Sequence, residues 1–450
     1  MRAQGDDLQI IGESPFSGNR DLAADLRGAK GDLDAAIAQI RLVPGYERFL
    51  LPSTFAGIVA DAGGDPLVYL GATEAGGFAL IVRPAGAAAE VVWLPGLTEE
   101  ALAGQVRSYQ AAYQAYLGGP RGGQDRARWE AAIDTVTAWA WQAVMAAVLH
   151  ALGPARRATL VPAGLLGVLP LHAAWASDPA ARTGRRYALD RAALTYAPNA
   201  RALGAARELR DAVRGEHLAA VDEPDLGAVA SRLRLPFSSL EVAAATAAFG
   251  DHQILRGKDA TGHEVLKALA AAQVFHLSCH GRADPAQPLQ AALALAGGTP
   301  LTLREILGRR LRARVGVLSA CETAIPGEEL PDEVVALPAG LIQAGVGTAV
   351  ASLWSVPGTA TALLMFRFYE QWRVAGADPP QALRDAQLWL RDTTNDEKTG
   401  YFEQIALDDD HPMTHAAQEP YELLYRTAAD PARRDHESPY HWAAFTCTGA

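Results

Sequence analysis

The sequence has little cysteine. Three in 450 residues cannot build a disulfide framework, and an odd number in a chain this long points to free thiols and a reducing, cytoplasmic setting. A secretory leader is missing too, because MRAQGDDLQIIGESPFSG carries acidic residues where a signal peptide has basic ones before an apolar core. No apolar run reaches the roughly 20 residues a membrane helix needs. The longest, Val136 to Leu152, is broken by Gln142 and His150 and is read as a buried helix, so no membrane partner is expected. Positive charge is in deficit: 40 Lys and Arg stand against 51 Asp and Glu, and the net charge of −11 argues against a nucleic-acid backbone as the main ligand. No repeat of solenoid length is visible.

What is present is the composition of a globular protein, 49% apolar and 20% charged. The length exceeds one ordinary core, so two or three domains, or one large α/β domain, are expected. Residues 1–44 begin rich in Gly, Asp and Arg without a sustained period and read as a flexible lead or the remnant of an upstream region. Apolar runs from Pro66 and at Phe78–Val82 around Gly76 and Gly77, then Val91–Leu94, predict an antiparallel start. A long helix over Arg126–Leu152, a buried strand over Ala158–Val161 and a helix over Arg201–Arg214 complete a first α/β half, residues 45–214.

Residues 215–450 form the second half, in which strands alternate with helices. Strands are predicted at Leu218–Val221, Ile254–Leu255, Val274–Cys279, Val315–Leu318 and Thr348–Leu353. Three helix starts have capping-box spacing: Ser238 with Glu241, Thr261 with Glu264, and Thr302 with Glu305. The alternation implies an α/β fold with a mostly parallel sheet flanked by helices, and such a sheet puts its functional crevice at the carboxyl ends of the strands. Residues 392–440 form a long acidic, Pro-containing stretch, and Tyr440–Cys447 is read as a returning edge strand.

Two of these strands end in complementary chemistry. Val274–Cys279 runs out into His280 and Gly281, and the strand through Val315–Leu318 runs out into Cys321. If the two are parallel neighbours, about 4.8 Å apart, an imidazole and a thiol come within hydrogen-bond reach of each other. The thiol needs that partner. A free cysteine with a pKa near 8.5 is only slightly ionised at neutral pH, and an adjacent imidazolium raises the thiolate fraction. Gly281 has no Cβ, so its backbone N–H can approach a substrate carbonyl and, with the N–H of Cys321, form an oxyanion hole.

The runs FHLSCHG, PLTLREIL, LRARVGVLSACETA, ELPDEVVALPAGLIQAGVGTAVASLWSV and LLMFRFYEQW resemble the CHAT domain, a clan relative of caspases and separases. The segments Ala158–Trp175 and Tyr187–Ala202 are similar to the family's N-terminal pseudo-protease half, and Tyr440–Phe445 to its closing segment, so the resemblance covers about residues 45–450. It implies a caspase-like fold and a cysteine endopeptidase that cleaves a protein or peptide through a thioester, with Cys321 as nucleophile and His280 as general base. No cofactor and no metal are implied. It also suggests a regulated prokaryotic protease of defence or signalling, gated by a sensor or helical-repeat partner. One position departs from the family. Relatives carry an acid shortly after Trp-x-Val that pairs with a basic P1 side chain, and here Leu353-Trp354-Ser355-Val356 runs into Pro357-Gly358. A small or apolar P1 is therefore expected, unless Asp332 or Glu333 supplies the charge.

Plainer readings stand beside these. Cys321 could be a buried structural thiol. His276 and Cys279 lie within a strand and read as packing residues. With His280 and Cys321 they could bind zinc, but the spacing is wrong for structural ligand pairs. Trp354, Phe366, Tyr369 and Trp372 either line a peptide groove or belong to the core. His172 and Asp284 are weaker candidates, Asp284 being a turn residue before Pro285. The competing function is a catalytically idle interaction module, although the chain keeps both nucleophile and base.

Overall fold

A parallel strand covered on both faces carries an almost unbroken apolar run, and in Val274–Ser278 and Val346–Ser352 every residue is buried. These two strands belong to the carboxyl-terminal half of a large sheet. The computed structural model describes residues 19–44, 46–47, 49–119, 122–227, 234–282, 287–320, 337–427 and 430–450. The chain divides into a unit of residues 1–54 and a unit of residues 55–450. In the first, within the segment read as a lead, Asn19–Ile40 forms a helix. Leu22, Leu26, Ala29, Leu33, Ala36 and Ile40 recur there at helical spacing, a pattern the surrounding Gly and Asp obscure.

The second unit is built on eleven strands: β1 Leu67–Thr73, β2 Gly76–Val82, β3 Glu90–Leu94, β4 Arg157–Pro162, β5 Ala193–Tyr196, β6 Leu218–Pro224, β7 His252–Gly257, β8 Val274–Ser278, β9 Ala313–Leu318, β10 Val346–Ser352 and β11 Phe445–Gly449. Their order across the sheet is β3-β2-β1-β4-β5-β11-β10-β9-β8-β6-β7. The first three are antiparallel to one another, as the turn at Gly76 and Gly77 predicts. Strands β6 to β10 are mutually parallel. Strand β11 is the exception to expectation. Instead of an edge strand it is a central one, antiparallel to β10 and parallel to β5, and it is buried throughout. It therefore welds the two halves into one sheet whose parallel sets run in opposite directions, and its apolar run Phe445–Cys447 has the burial that an edge strand would lack.

Helices cover the faces. Gly123–Leu152 is long and apolar enough to cross a membrane, but Trp129, Ile133, Val136, Val144, Val148 and Leu152 are spent on the core. Trp129 packs between Tyr113, at a centroid distance of 4.7 Å, and Trp354, at 6.0 Å edge to face. The acidic stretch 392–440 contains two helices, Asn395–Ala406 and Thr414–Thr427, the second carrying Pro420 inside it. Its acidic content concealed them. Thr302 and Glu305 form the full capping box, and Thr261 accepts from the Glu264 N–H. The third expected box does not form. Ser238 is the first helical residue rather than the cap, its hydroxyl donates to Asp222 Oδ1 at 2.7 Å, and Glu241 is turned into the protein.

Strands β8 and β9 are in register with Phe275 opposite Gly316. A Cβ at Gly316 would meet the Phe275 ring 2.2 Å away, so the ring lies flat over the neighbouring strand. The same device joins β1 and β2, where Phe78 covers Gly71. A large ring over a missing side chain fixes which residues face each other, and that register decides where the two strand ends emerge.

Candidate active site

The parallel register of β8 and β9 pairs Leu277 with Leu318. His280 and Cys321 are then each three residues beyond the last paired position, which is the neighbour relation the sequence required. Cys321 itself lies outside the described residues, as do Asp284, Asp332 and Glu333. The chain leading to it is tied on both sides. Ser319 N–H donates to Leu277 O at 3.0 Å, and Ser352 Oγ at the end of β10 donates to Ala320 O at 2.8 Å. Buried Ser352 is thus a positioning group that the sequence reading missed. Its signal was a hydroxyl at the end of a fully buried central strand.

His280 opens a short strand, His280–Arg282, paired antiparallel with Ala292–Ala294. His280, Gly281, Ser319 and Ala320 line a cavity of about 690 Å³. Gly358 lines it as well, and a Cβ there would sit 2.7 Å from Phe237 Cδ2, so Phe237 takes the space a side chain at position 358 would fill. Trp354 does not line it. It belongs to the core instead of the groove: its side chain is fully buried and its indole N–H donates to Tyr440 O at 3.0 Å. It shapes the loop indirectly, with Ser355 N–H held by Tyr113 Oη at 3.0 Å. Phe366 and Tyr369 are likewise core.

Charge is organised around the strand ends. Asp222, at the end of β6 beside Ser278, is buried and accepts from Ser238 and from Arg256 Nε at 2.8 Å. Glu223 follows at φ +41°, an uncommon conformation for a residue with a side chain. Burial alone would raise its carboxyl, but Arg234 and the Leu235 N–H hold it below its usual value, and His280 acts in the same direction. The imidazole is therefore within electrostatic range of an acid. His276 and Cys279 are buried, in line with their reading as packing residues. His172 is buried in the other half, its Nδ1 2.9 Å from Tyr196 Oη. Among the described residues no group of three or more His, Cys, Asp or Glu could hold a metal ion.

The CHAT domain family model matches residues 135–450, well over half of the sequence. The chain belongs to the CHAT domain family. This CHAT protein is similar in fold to two crystal structures of the Saccharomyces cerevisiae separase-securin complex, at 3.0 and 2.6 Å resolution, with TM-scores of 0.57 and 0.55 at 9% identity. The likeness covers 88% and 93% of the CHAT chain but only 30% and 33% of the matched chains, so it spans about a third of their length. At that identity the fold is what is shared: that of the caspase-like cysteine peptidases. No curated protein sequence matches.

Proposed function

We propose that this CHAT protein is a cysteine endopeptidase in which Cys321 is the nucleophile and His280 the general base. The observation that carries the reading is the in-register pair β8 and β9, whose next residues, His280 on one side and Ser319 and Ala320 on the other, open into one cavity. In the reaction His280 takes the thiol proton and the Cys321 thiolate attacks the scissile carbonyl. The N–H groups of Gly281 and Cys321 stabilise the oxyanion. His280 then protonates the departing amine, and water, deprotonated by His280, releases the acid from the thioester.

The same proposal extends to a regulated prokaryotic protease of defence or signalling, acting on a protein substrate in the cytoplasm under a separate sensor or helical-repeat partner. Cys279 and Cys447, both buried, form no disulfide, which supports the reducing setting. Burial pushes the Cys447 thiol up, away from reactivity. The test is cleavage of a peptide library by wild type and Cys321→Ala, with and without host lysate as a source of activator. Cleavage by the wild type that falls at least about 10³-fold in Cys321→Ala supports the peptidase. A wild type inert to every peptide and to thiol-directed probes, or a variant that cuts equally well, contradicts it and favours the interaction module.

A further inference from the structure

Strand β6 ends in a distortion that its pairing does not require. As far as Asp222 it runs in parallel register with both neighbours, Asp222 lying opposite Ser278 of β8 and Arg256 of β7. The next residue paired with β7 is Pro224, opposite Gly257, so Glu223 is an extra residue bulged out of the ladder. Its φ is +41°, and among the described residues only Leu50 and Ala85 share a positive φ without being glycine. A glutamate gains nothing locally from that crowded conformation, and such strain persists only where its surroundings enforce it.

The bulge changes where the side chain points. Asp222 faces the helix Ser238–Ala247, its Oδ1 accepting from Ser238 Oγ at 2.7 Å. In an unbroken strand the following side chain leaves on the opposite face. Glu223 instead returns to the side of Asp222: its N–H donates to Ser238 Oγ at 3.1 Å, and its Oε1 accepts from the Leu235 N–H at 2.9 Å and from Arg234 Nε at 2.6 Å. Arg234, Leu235 and Ser238 all line the cavity into which His280 opens. Three hydrogen bonds thus hold a strained residue with its carboxylate at the rim of that cavity, on the strand next to the one that delivers His280.

The other charges around His280 are committed elsewhere or screened. Asp222 is shared between Ser238 and Arg256. Glu241, on the helix, faces His276 at 3.4 Å. Arg282, on the short strand of His280 itself, is exposed. Arg234, the partner of Glu223, keeps a side chain 68% exposed against 27% for the glutamate, so solvent weakens its hold on the carboxylate. Burial raises the Glu223 carboxyl, and Arg234, the Leu235 N–H and His280 together bring it below its usual value.

We infer that Glu223 is a positioning acid of the active site, re-aimed by the β6 bulge to stabilise the imidazolium that forms when His280 takes the proton of Cys321. This rests on the peptidase reading of Cys321 and His280. The carboxylate makes and breaks no bond. It favours the thiolate and imidazolium pair over the neutral pair, and Arg234, drawing on the same carboxylate, keeps the imidazolium acidic enough to protonate the departing amine.

The first test needs no turnover. Histidine-labelled Cys321→Ala is titrated by NMR, the His280 ring signal being the one lost in His280→Gln, and the titration is repeated with Glu223→Gln and with Glu223→Gly, which also relieves the positive φ. Without the carboxylate the imidazolium gives up its proton at lower pH, so the midpoint of His280 should fall by at least about 0.5 pH unit in each variant. Glycine answers the question should glutamine disturb the fold. A midpoint that stays or rises overturns the role of Glu223, whether or not the protein cuts peptides. The second test is the pH profile of kcat/KM in wild type and Glu223→Gln, where the basic limb should move to lower pH by a similar amount and kcat fall about ten-fold with KM little changed. A fall in rate with the basic limb unmoved assigns Glu223 a purely structural part and contradicts the inference. A wild type that cuts nothing sinks the peptidase reading, while the titration still decides whether Glu223 acts on His280.

Discussion

Acidification from pH 7 to pH 4 is expected to cost the folded chain several kcal/mol through three buried histidines. Burial lowers His172 and His436 to about 4, the second with help from Lys398. Burial, then His436 and Arg126, lower His441 to about 3. Each lies below the ordinary value near 6.5, so the unfolded chain binds these protons first. Their stabilising contribution is complete above about pH 6.5 and is lost as the pH falls toward the folded values. At about 1.4 kcal/mol per pH unit for each group, the loss near pH 4 is of the order of 2–3 kcal/mol per histidine. His436 and His441 pack at a centroid distance of 5.2 Å beside Arg126, so charging one resists charging the other. Urea midpoints measured from pH 7.5 to 4.5 should fall steeply, and less steeply in His436→Gln with His441→Gln. A stability flat across that range contradicts the assignment.

Gly316→Val is expected to destabilise the chain by about 3 kcal/mol or more, because the new side chain must occupy the Phe275 ring. The Cβ alone would lie 2.2 Å from it. Replacing Phe275 by alanine in the same chain should recover part of the loss, although Phe275→Ala alone opens a cavity at a fully buried site. The coupling between the two substitutions, read from urea midpoints, therefore has the sign of mutual compensation. Additive losses would mean that the ring does not cover the glycine.

Much of the fold could be read in the sequence because its determinants are local. The alternation of apolar runs with capped helices anticipated β6 to β10, and the motifs at Ser278–Gly281 and Ser319–Cys321 carried the family resemblance. What escaped depends on distant partners. Strand β11 looked like an edge because nothing in Phe445–Gly449 says that it bridges two parallel sets running in opposite directions. Ser238 and Glu241 have flawless capping spacing, yet Asp222 from the end of β6 takes the serine hydroxyl, and the glutamate turns inward to His276. Ser352 could not be identified as the donor to Ala320 without knowing that β10 neighbours β9. Trp354 was ambiguous because an indole after a strand serves equally as a groove wall or a core residue, and the Tyr440 carbonyl decides for the core.

The central claim is that His280 activates Cys321, and it can be measured on the thiol without any substrate. The rate of alkylation of Cys321 by iodoacetamide, followed by peptide mass spectrometry from pH 5 to 9, reports its thiolate fraction. The wild type should label at pH 6.5 with a midpoint at least about one unit below the free value near 8.5, and His280→Ala should return the midpoint to that value. Identical profiles in the two proteins, both with an ordinary thiol midpoint, would contradict the dyad.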